Sequence, residues 1–154
     1  MPKISRRVGL VSLLGAVAVA GITIVLATTT ASSSSSEPTV RDASAHFVAP
    51  SNGIDGAFTF TANTADDSGV RRLDVLAWPE SKAKEPTAGD VADADRATCR
   101  KMGDEQARCT YTLRVTEEEA DGLERGRWVI SALLTSRDGD TKFVREAADV
   151  SVDF

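Results

Sequence analysis

From residue 39 onward, apolar and polar side chains alternate along the chain. Between Ala57 and Thr64, Phe58, Phe60 and Ala62 share one face and Thr59, Thr61 and Asn63 the other, the period of a half-buried strand. Asp66-Asp67-Ser68-Gly69 follows with turn chemistry, Gly69 being suited to positive φ. The next run sets Leu73, Val75 and Ala77 against Leu76 and Trp78, and Pro79 ends it. Cys109, Tyr111, Leu113 and Val115 alternate with Thr110, Thr112 and Arg114. Trp128, Ile130, Ala132 and Leu134 alternate with Val129, Ser131, Leu133 and Thr135; this run is apolar on both sides in places, which predicts a central strand. Asp138-Gly139 marks a hairpin leading into Thr141 to Val144. Val150, Val152 and Phe154 form a closing strand, and Val40 to Val48, carried by Ala43, Ala45 and Phe47, a weaker opening one. Roughly seven short strands with turns between them predict an all-β, two-sheet sandwich over residues 39–154.

Two stretches break the β pattern. Thr87 to Ala97 opens with Thr87 and has Asp90 three residues on, which resembles a capping box. Ala88, Val91 and Ala92 or Ala94 add a narrow apolar stripe, so one short helical insert is expected here. Thr116 to Gly122 pairs Thr116 with Glu119 and ends in a capping glycine, enough for a single turn whose acidic start suits the helix dipole.

The first 31 residues have a different character. Lys3, Arg6 and Arg7 precede an uncharged, mostly apolar stretch from Val8 to Ala27, a pattern that secretion machinery reads. Two readings stand. Its 20 residues match a membrane-spanning anchor helix, whereas Gly9, Gly15, Gly21, Ser12 and Thr23 dilute it as in a cleaved signal, with cleavage after Ala31 or Ala27. Both place the rest of the chain outside the cytoplasm, secreted or held by a single span. Residues 32–38, a serine run followed by Glu37 and Pro38, read as a flexible linker: a spacer or sugar-bearing stalk, or a tail without a role.

Charge and composition narrow the chemistry. The chain carries 18 basic and 23 acidic side chains, and cleavage after Ala31 removes three bases, taking the net charge from −5 to −8. An acidic exported domain is a poor partner for nucleic acid, and it meets a membrane only through the N-terminal helix if that is kept. One histidine and two cysteines are too few soft ligands for a zinc or iron–sulfur site, which needs about four. Phosphate-loop, dinucleotide-turn, zincin and nucleophile-elbow motifs do not occur, so no cofactor is expected.

Cys99 and Cys109 fall in the exported part, where disulfides persist, and an intramolecular bridge is the default. Their spacing is too short for the inter-sheet bridge of antibody domains; the bond would staple the end of the helical insert to the start of the Tyr111 strand. His46 is the only histidine, and nothing in the sequence places a nucleophile or an orienting carboxylate beside it, so it reads as an edge-strand surface residue. Acidic pairs abound, but a glycosidase cleft needs sugar-stacking aromatics, and two Trp and one Tyr are few. Calcium is the better use of such acids. Asp66, Asp67, Asp138 and Asp140 are weak candidates gathered by loops at one end of the sandwich, although turn formation by Asp and Gly also accounts for them and no EF-hand order is present. Trp78 and Trp128 read as core packing for at least one of the two, with an exposed ligand platform as the rival.

The order Asp66-Asp67-Ser68-Gly69-Val70, Leu76-Ala77-Trp78-Pro79, Ala97-Thr98-Cys99, Cys109-Thr110-Tyr111-Thr112-Leu113, Gly126-x-Trp128 and Asp138-Gly139-Asp140 resembles a family of small secreted actinobacterial proteins. That family has no assigned function and an immunoglobulin-like domain. The resemblance implies that fold, an exported location and no catalytic residues to carry over. The expectation is an exported, non-enzymatic immunoglobulin-like module at the cell surface, engaged in interaction or adhesion through loops or an edge strand with an unknown protein or cell-wall component. Its rivals are a small exported enzyme or protease inhibitor, the inhibitor presenting the polar segment Pro79 to Pro86 with Lys82 to Lys84, and a calcium-stabilised wall spacer.

Overall fold

The computed structural model describes residues 36–154. The export segment, with Lys3, Arg6, Arg7, the apolar core 8–27 and both cleavage points, lies outside the described residues, as do serines 32–35. Among the described residues no helix is long and apolar enough to cross a membrane.

Eight antiparallel strands form two four-stranded sheets that pack as a sandwich. They are β1 (Thr39–Val48), β2 (Gly56–Ala65), β3 (Val70–Pro79), β4 (Asp95–Arg96), β5 (Thr98–Lys101), β6 (Gln106–Val115), β7 (Gly126–Ser136) and β8 (Thr141–Val152). One sheet runs β1-β2-β6-β5 and the other β4-β3-β7-β8. Two short helices, α1 (Ala88–Ala92) and α2 (Glu117–Asp121), interrupt the strands, where one helical insert and a single turn were expected. Both capping boxes form: the Thr87 and Thr116 hydroxyls accept from the N–H groups of Asp90 and Glu119, whose carboxylates accept in return. Those bonds, backbone first and hydroxyl second, hold the Asp90 and Glu119 carboxyls below the usual range.

The core follows the alternation. Phe58, Phe60 and Ala62 of β2 lie opposite Leu113, Tyr111 and Cys109 of β6, and this face meets Leu73, Val75, Ile130, Ala132 and Leu134 of the second sheet. The second face of β7 is also buried, because α1 packs over β3 and β7 with Val91 fully enclosed. Trp78, Val129 and Leu133 are buried on this outer face. Two of its polar groups are joined: Trp78 donates through Nε1 to Ser131 Oγ at 3.0 Å, and Ser131 donates to the Arg145 carbonyl at 2.5 Å. Trp78 is therefore core, and Trp128 is half-buried.

Three features differ from what alternation alone indicates. The stretch expected as helix through Ala97 stops at Ala92 and continues as β4 and β5, which are too short to display a period. Cys99 and Cys109 are bonded and sit directly opposite each other on β5 and β6, so the bridge lies within one sheet. Asp74, on a strand face that otherwise reads as apolar, is almost completely buried, with Arg72 Nε at 2.9 Å and Arg96 Nε at 3.5 Å from its carboxylate.

Gly69 immediately precedes β3 at φ +92, and a Cβ there would lie 2.8 Å from the Asp104 carbonyl oxygen. Gly69→Ala combines left-handed strain with a backbone clash and should cost about 1–3 kcal/mol, read as a lower urea midpoint with an unchanged m-value. Stability equal to the parent would show that the β2–β3 turn relaxes freely.

Candidate functional site

Strand length opens a cleft at one side of the sandwich. β5 pairs only with residues 107–110 of β6, and β4 only with Asp74 and Val75 of β3. Beyond those points the outer side of β6, from Tyr111 to Val115, has no strand beside it among the described residues. Leu113 shows the consequence: by register with Phe58 it belongs to the inner face, yet it is 50% exposed. A cavity of about 490 Å³ opens there, with Phe47, Phe58, Leu113 and Trp128 among its apolar walls and Leu123, just past α2, at its end.

The polar groups of the cleft are few and placed. Tyr111 donates its hydroxyl to Asp95 at 2.6 Å, tying β6 of one sheet to β4 of the other. Burial first, then the bond to and charge of Asp95, push the Tyr111 phenol well above its usual range, so it stays a neutral donor. Glu118 and Glu119 sit on the rim, and Arg114 is ion-paired with Asp55. Such a cleft, apolar with a small number of fixed polar groups, suits binding of an apolar group.

The β1 edge is blunted. β1 carries a bulge between Arg41 and Ser44, with Asp42 at φ 50 and its carboxylate accepting from Asn63 at 3.0 Å. His46 lies exposed on this strand opposite Thr59, as an edge residue should. Of the Pro79 to Pro86 segment, Pro79 is the buried last residue of β3, paired with Trp128, and residues 80–86 form the link to α1, with Lys82, Ala83 and Lys84 open to solvent.

At the opposite end, the β2–β3 and β7–β8 loops bring three of the four sequence-indicated acids together. Asp66, Asp67 and Asp138 each place a carboxylate oxygen within 4.8 Å of the others. Asp140, named with them from the sequence, is not in this group: its N–H caps Asp138 at 3.1 Å and its carbonyl accepts from Ser136, so it serves the turn. Asp66 is 3% exposed. Burial raises its pKa, but donation from Ser68, through hydroxyl and N–H, and the nearby Ser136 hydroxyl outweigh this and hold the carboxyl below its usual range.

Sequence reading reached the acids and the bridge but missed the cleft. Its only signals were the brevity of the alternating segments around Asp95 and Cys99, which leaves β6 longer than its neighbour. Together these features define a two-sheet β-sandwich with an open apolar cleft on one side and an acidic loop cluster at one end. The chain belongs to a family of unknown function (DUF5707), whose profile matches residues 40–134, more than half of the sequence. None of the curated proteins compared with the sequence matches it.

Proposed function

We propose that the chain is an exported, non-catalytic interaction module, an immunoglobulin-like sandwich that takes an extended segment of a partner protein along the free edge of β6. The observation that carries this reading is the unpaired stretch Tyr111–Val115 lying beside an apolar cleft. Unpaired backbone donors and acceptors are satisfied by an added strand, and a neighbouring pocket then selects alternate side chains. The acidic rim at Asp95, Glu118 and Glu119, on a domain of net negative charge, favours a segment in which basic residues flank an apolar anchor. Export is supported by Lys3, Arg6 and Arg7 ahead of the apolar stretch 8–27, and intact mass of the native protein from supernatant and membranes distinguishes a cleaved product from a tethered one.

The test is selection of a phage-displayed random peptide library on the full-length protein, followed by affinity measurement and amide exchange. Selected peptides should carry an apolar residue beside Lys or Arg and protect the amides of residues 111–115. Leu113→Asp puts a charge into the cleft at a half-exposed site; it should weaken binding at least about tenfold, roughly 1.4 kcal/mol, with little loss of thermal stability. Protection mapped to the Lys82–Lys84 loop, or affinity indifferent to Leu113→Asp, would reject the β6 edge as the binding surface.

A further inference from the structure

We infer that the segment received by the β6 edge, on the reading of that edge as a binding surface, is the same stretch of a second copy of this chain. Tyr111–Val115 pairs antiparallel with Tyr111–Val115 across a two-fold axis, joining two sandwiches through one continuous sheet. The backbone of the free stretch is self-complementary. Cys99 and Cys109 stand opposite each other with Cα atoms 3.9 Å apart, the close approach of a non-hydrogen-bonded antiparallel pair. Backbone direction alternates along a strand, so Cys109, Tyr111 and Leu113 turn their N–H and C=O groups to β2, and Thr112 and Arg114 turn theirs outward. Past the last residue that β5 covers, the edge therefore presents the unpaired N–H and C=O groups of Thr112 and Arg114. With Leu113 set against Leu113 of the second copy, Thr112 of each copy faces Arg114 of the other, and every one of these groups is paired.

Side chains fit the same register. Tyr111, Leu113 and Val115 lie on the inner face, Thr112 and Arg114 on the outer, and the two-fold axis keeps inner with inner. Leu113, half exposed in one copy, then meets its counterpart at a non-hydrogen-bonded position, where cross-strand side chains come closest. No like charges stand directly opposite, because Arg114 faces Thr112 and is ion-paired with Asp55 of its own chain. Other registers are closed. A shift of one residue sets inner faces against outer ones. A shift of two in one direction runs the second strand into β5; in the other it sets Thr112 against Thr116, whose N–H goes to Glu119 and whose carbonyl accepts from Ala120. Charge fits at both ends of the paired stretch. Leaving Val115, the acidic turn Glu117–Glu119 of one copy comes to the head of β5 in the other, where Arg72 and Arg96 share the one carboxylate of Asp74 and Asp95 is engaged by the Tyr111 hydroxyl. So short a contact is well below the roughly 20–30 residues a side of a standard interface, so the dimer is weak, with Kd about 10⁻⁵–10⁻³ M.

Sedimentation velocity of the native protein from about 10 µM to about 1 mM tests this, with amide exchange as a second readout. A reversible monomer–dimer equilibrium is expected, and exchange at the Thr112 and Arg114 amides should slow as concentration rises. Leu113→Asp should raise the dissociation constant at least about tenfold. Thr112→Pro should abolish the dimer and leave the monomer folded, because the N–H it removes is not bonded to β2. Leu113→Cys reports the register: with a mild oxidant it should crosslink to a second copy, whereas Thr112→Cys, which faces Arg114, should not. A protein still monomeric at about 1 mM, while selected peptides protect residues 111–115, overturns the dimer and leaves the edge as a site for a foreign segment. Monomer without peptide protection overturns both readings together. A dimer indifferent to Leu113→Asp, or a Thr112→Cys variant that crosslinks as readily as Leu113→Cys, would also overturn the pairing.

Discussion

Phe60→Ala is expected to remove about 3–5 kcal/mol, the largest single effect in the domain. Phe60 is fully buried on β2, the strand that lies between β1 and β6, and it is paired by register with Ala45 and Tyr111. Its ring fills the space between the sheets, facing the Leu73, Ile130 and Leu134 layer. Truncation loses the transfer energy of the ring and leaves a cavity that the packed strands around it cannot fully close. Urea unfolding should show a much lower midpoint at constant m-value. Against a total of about 5–15 kcal/mol, the variant sits near the limit of folding at 37 °C. Leu113→Ala provides the contrast: alternation places it in the same series, but half its surface is exposed, and its loss should cost under about 1 kcal/mol. Equal costs for the two would mean that the cleft is closed in solution.

Loss of the Cys99–Cys109 bond ranks second, at about 3 kcal/mol by the entropy of closing so short a loop. Cys109 is fully buried within the core cluster, and Cys99 lies on β5, a four-residue edge strand. So short a strand gains little from its own ladder, and the bond supplies what its length does not. The melting temperature should fall by about 10 °C on reduction, and a Cys99→Ala/Cys109→Ala variant should melt at the reduced value and ignore reductant. The cross-strand bond also limits where β6 is free, because it clamps β5 onto residues 107–110. Amide exchange in reduced protein should therefore rise first along β5. An unchanged melting temperature, with mass spectrometry confirming reduction, would remove the bond from the list of stabilising features.

Much of the fold was legible because burial imposes a period. β2 and β7 declared themselves through Phe58, Phe60 and Ala62 and through Ile130, Ala132 and Leu134, since a strand half-buried against a sheet must alternate. The capping residues Thr87 and Thr116 were legible for a local reason: their partners Asp90 and Glu119 lie three residues away in the chain. β4 and β5 were not legible, because two and four residues carry no measurable period. Asp74 was unreadable as a buried group: Arg72 is two residues away in the chain, but the second cation beside the carboxylate, Arg96, is brought alongside only when β4 pairs with β3. The acids divided the same way. All four stand next to turn residues, but only packing of the β2–β3 loop against the β7–β8 hairpin set Asp138, and not Asp140, beside Asp66 and Asp67.

By itself, then, the sequence determined those properties that depend on neighbours in the chain: an all-β domain, its long strands, its helix caps, its Asp-Gly hairpin and an apolar segment ahead of it. The tertiary structure decided which strands are neighbours and where each one stops. Leu113 carries the pattern of a core residue and becomes the wall of a cleft because β5 begins only at Thr98, opposite Thr110, and covers nothing beyond it. Val129 and Leu133 put apolar side chains on the second face of β7, and what buries that face is decided by the tertiary structure, in which α1 packs against β3 and β7. Period reports the geometry of a strand, whereas exposure is set by what covers it, and cover comes from residues far away along the chain.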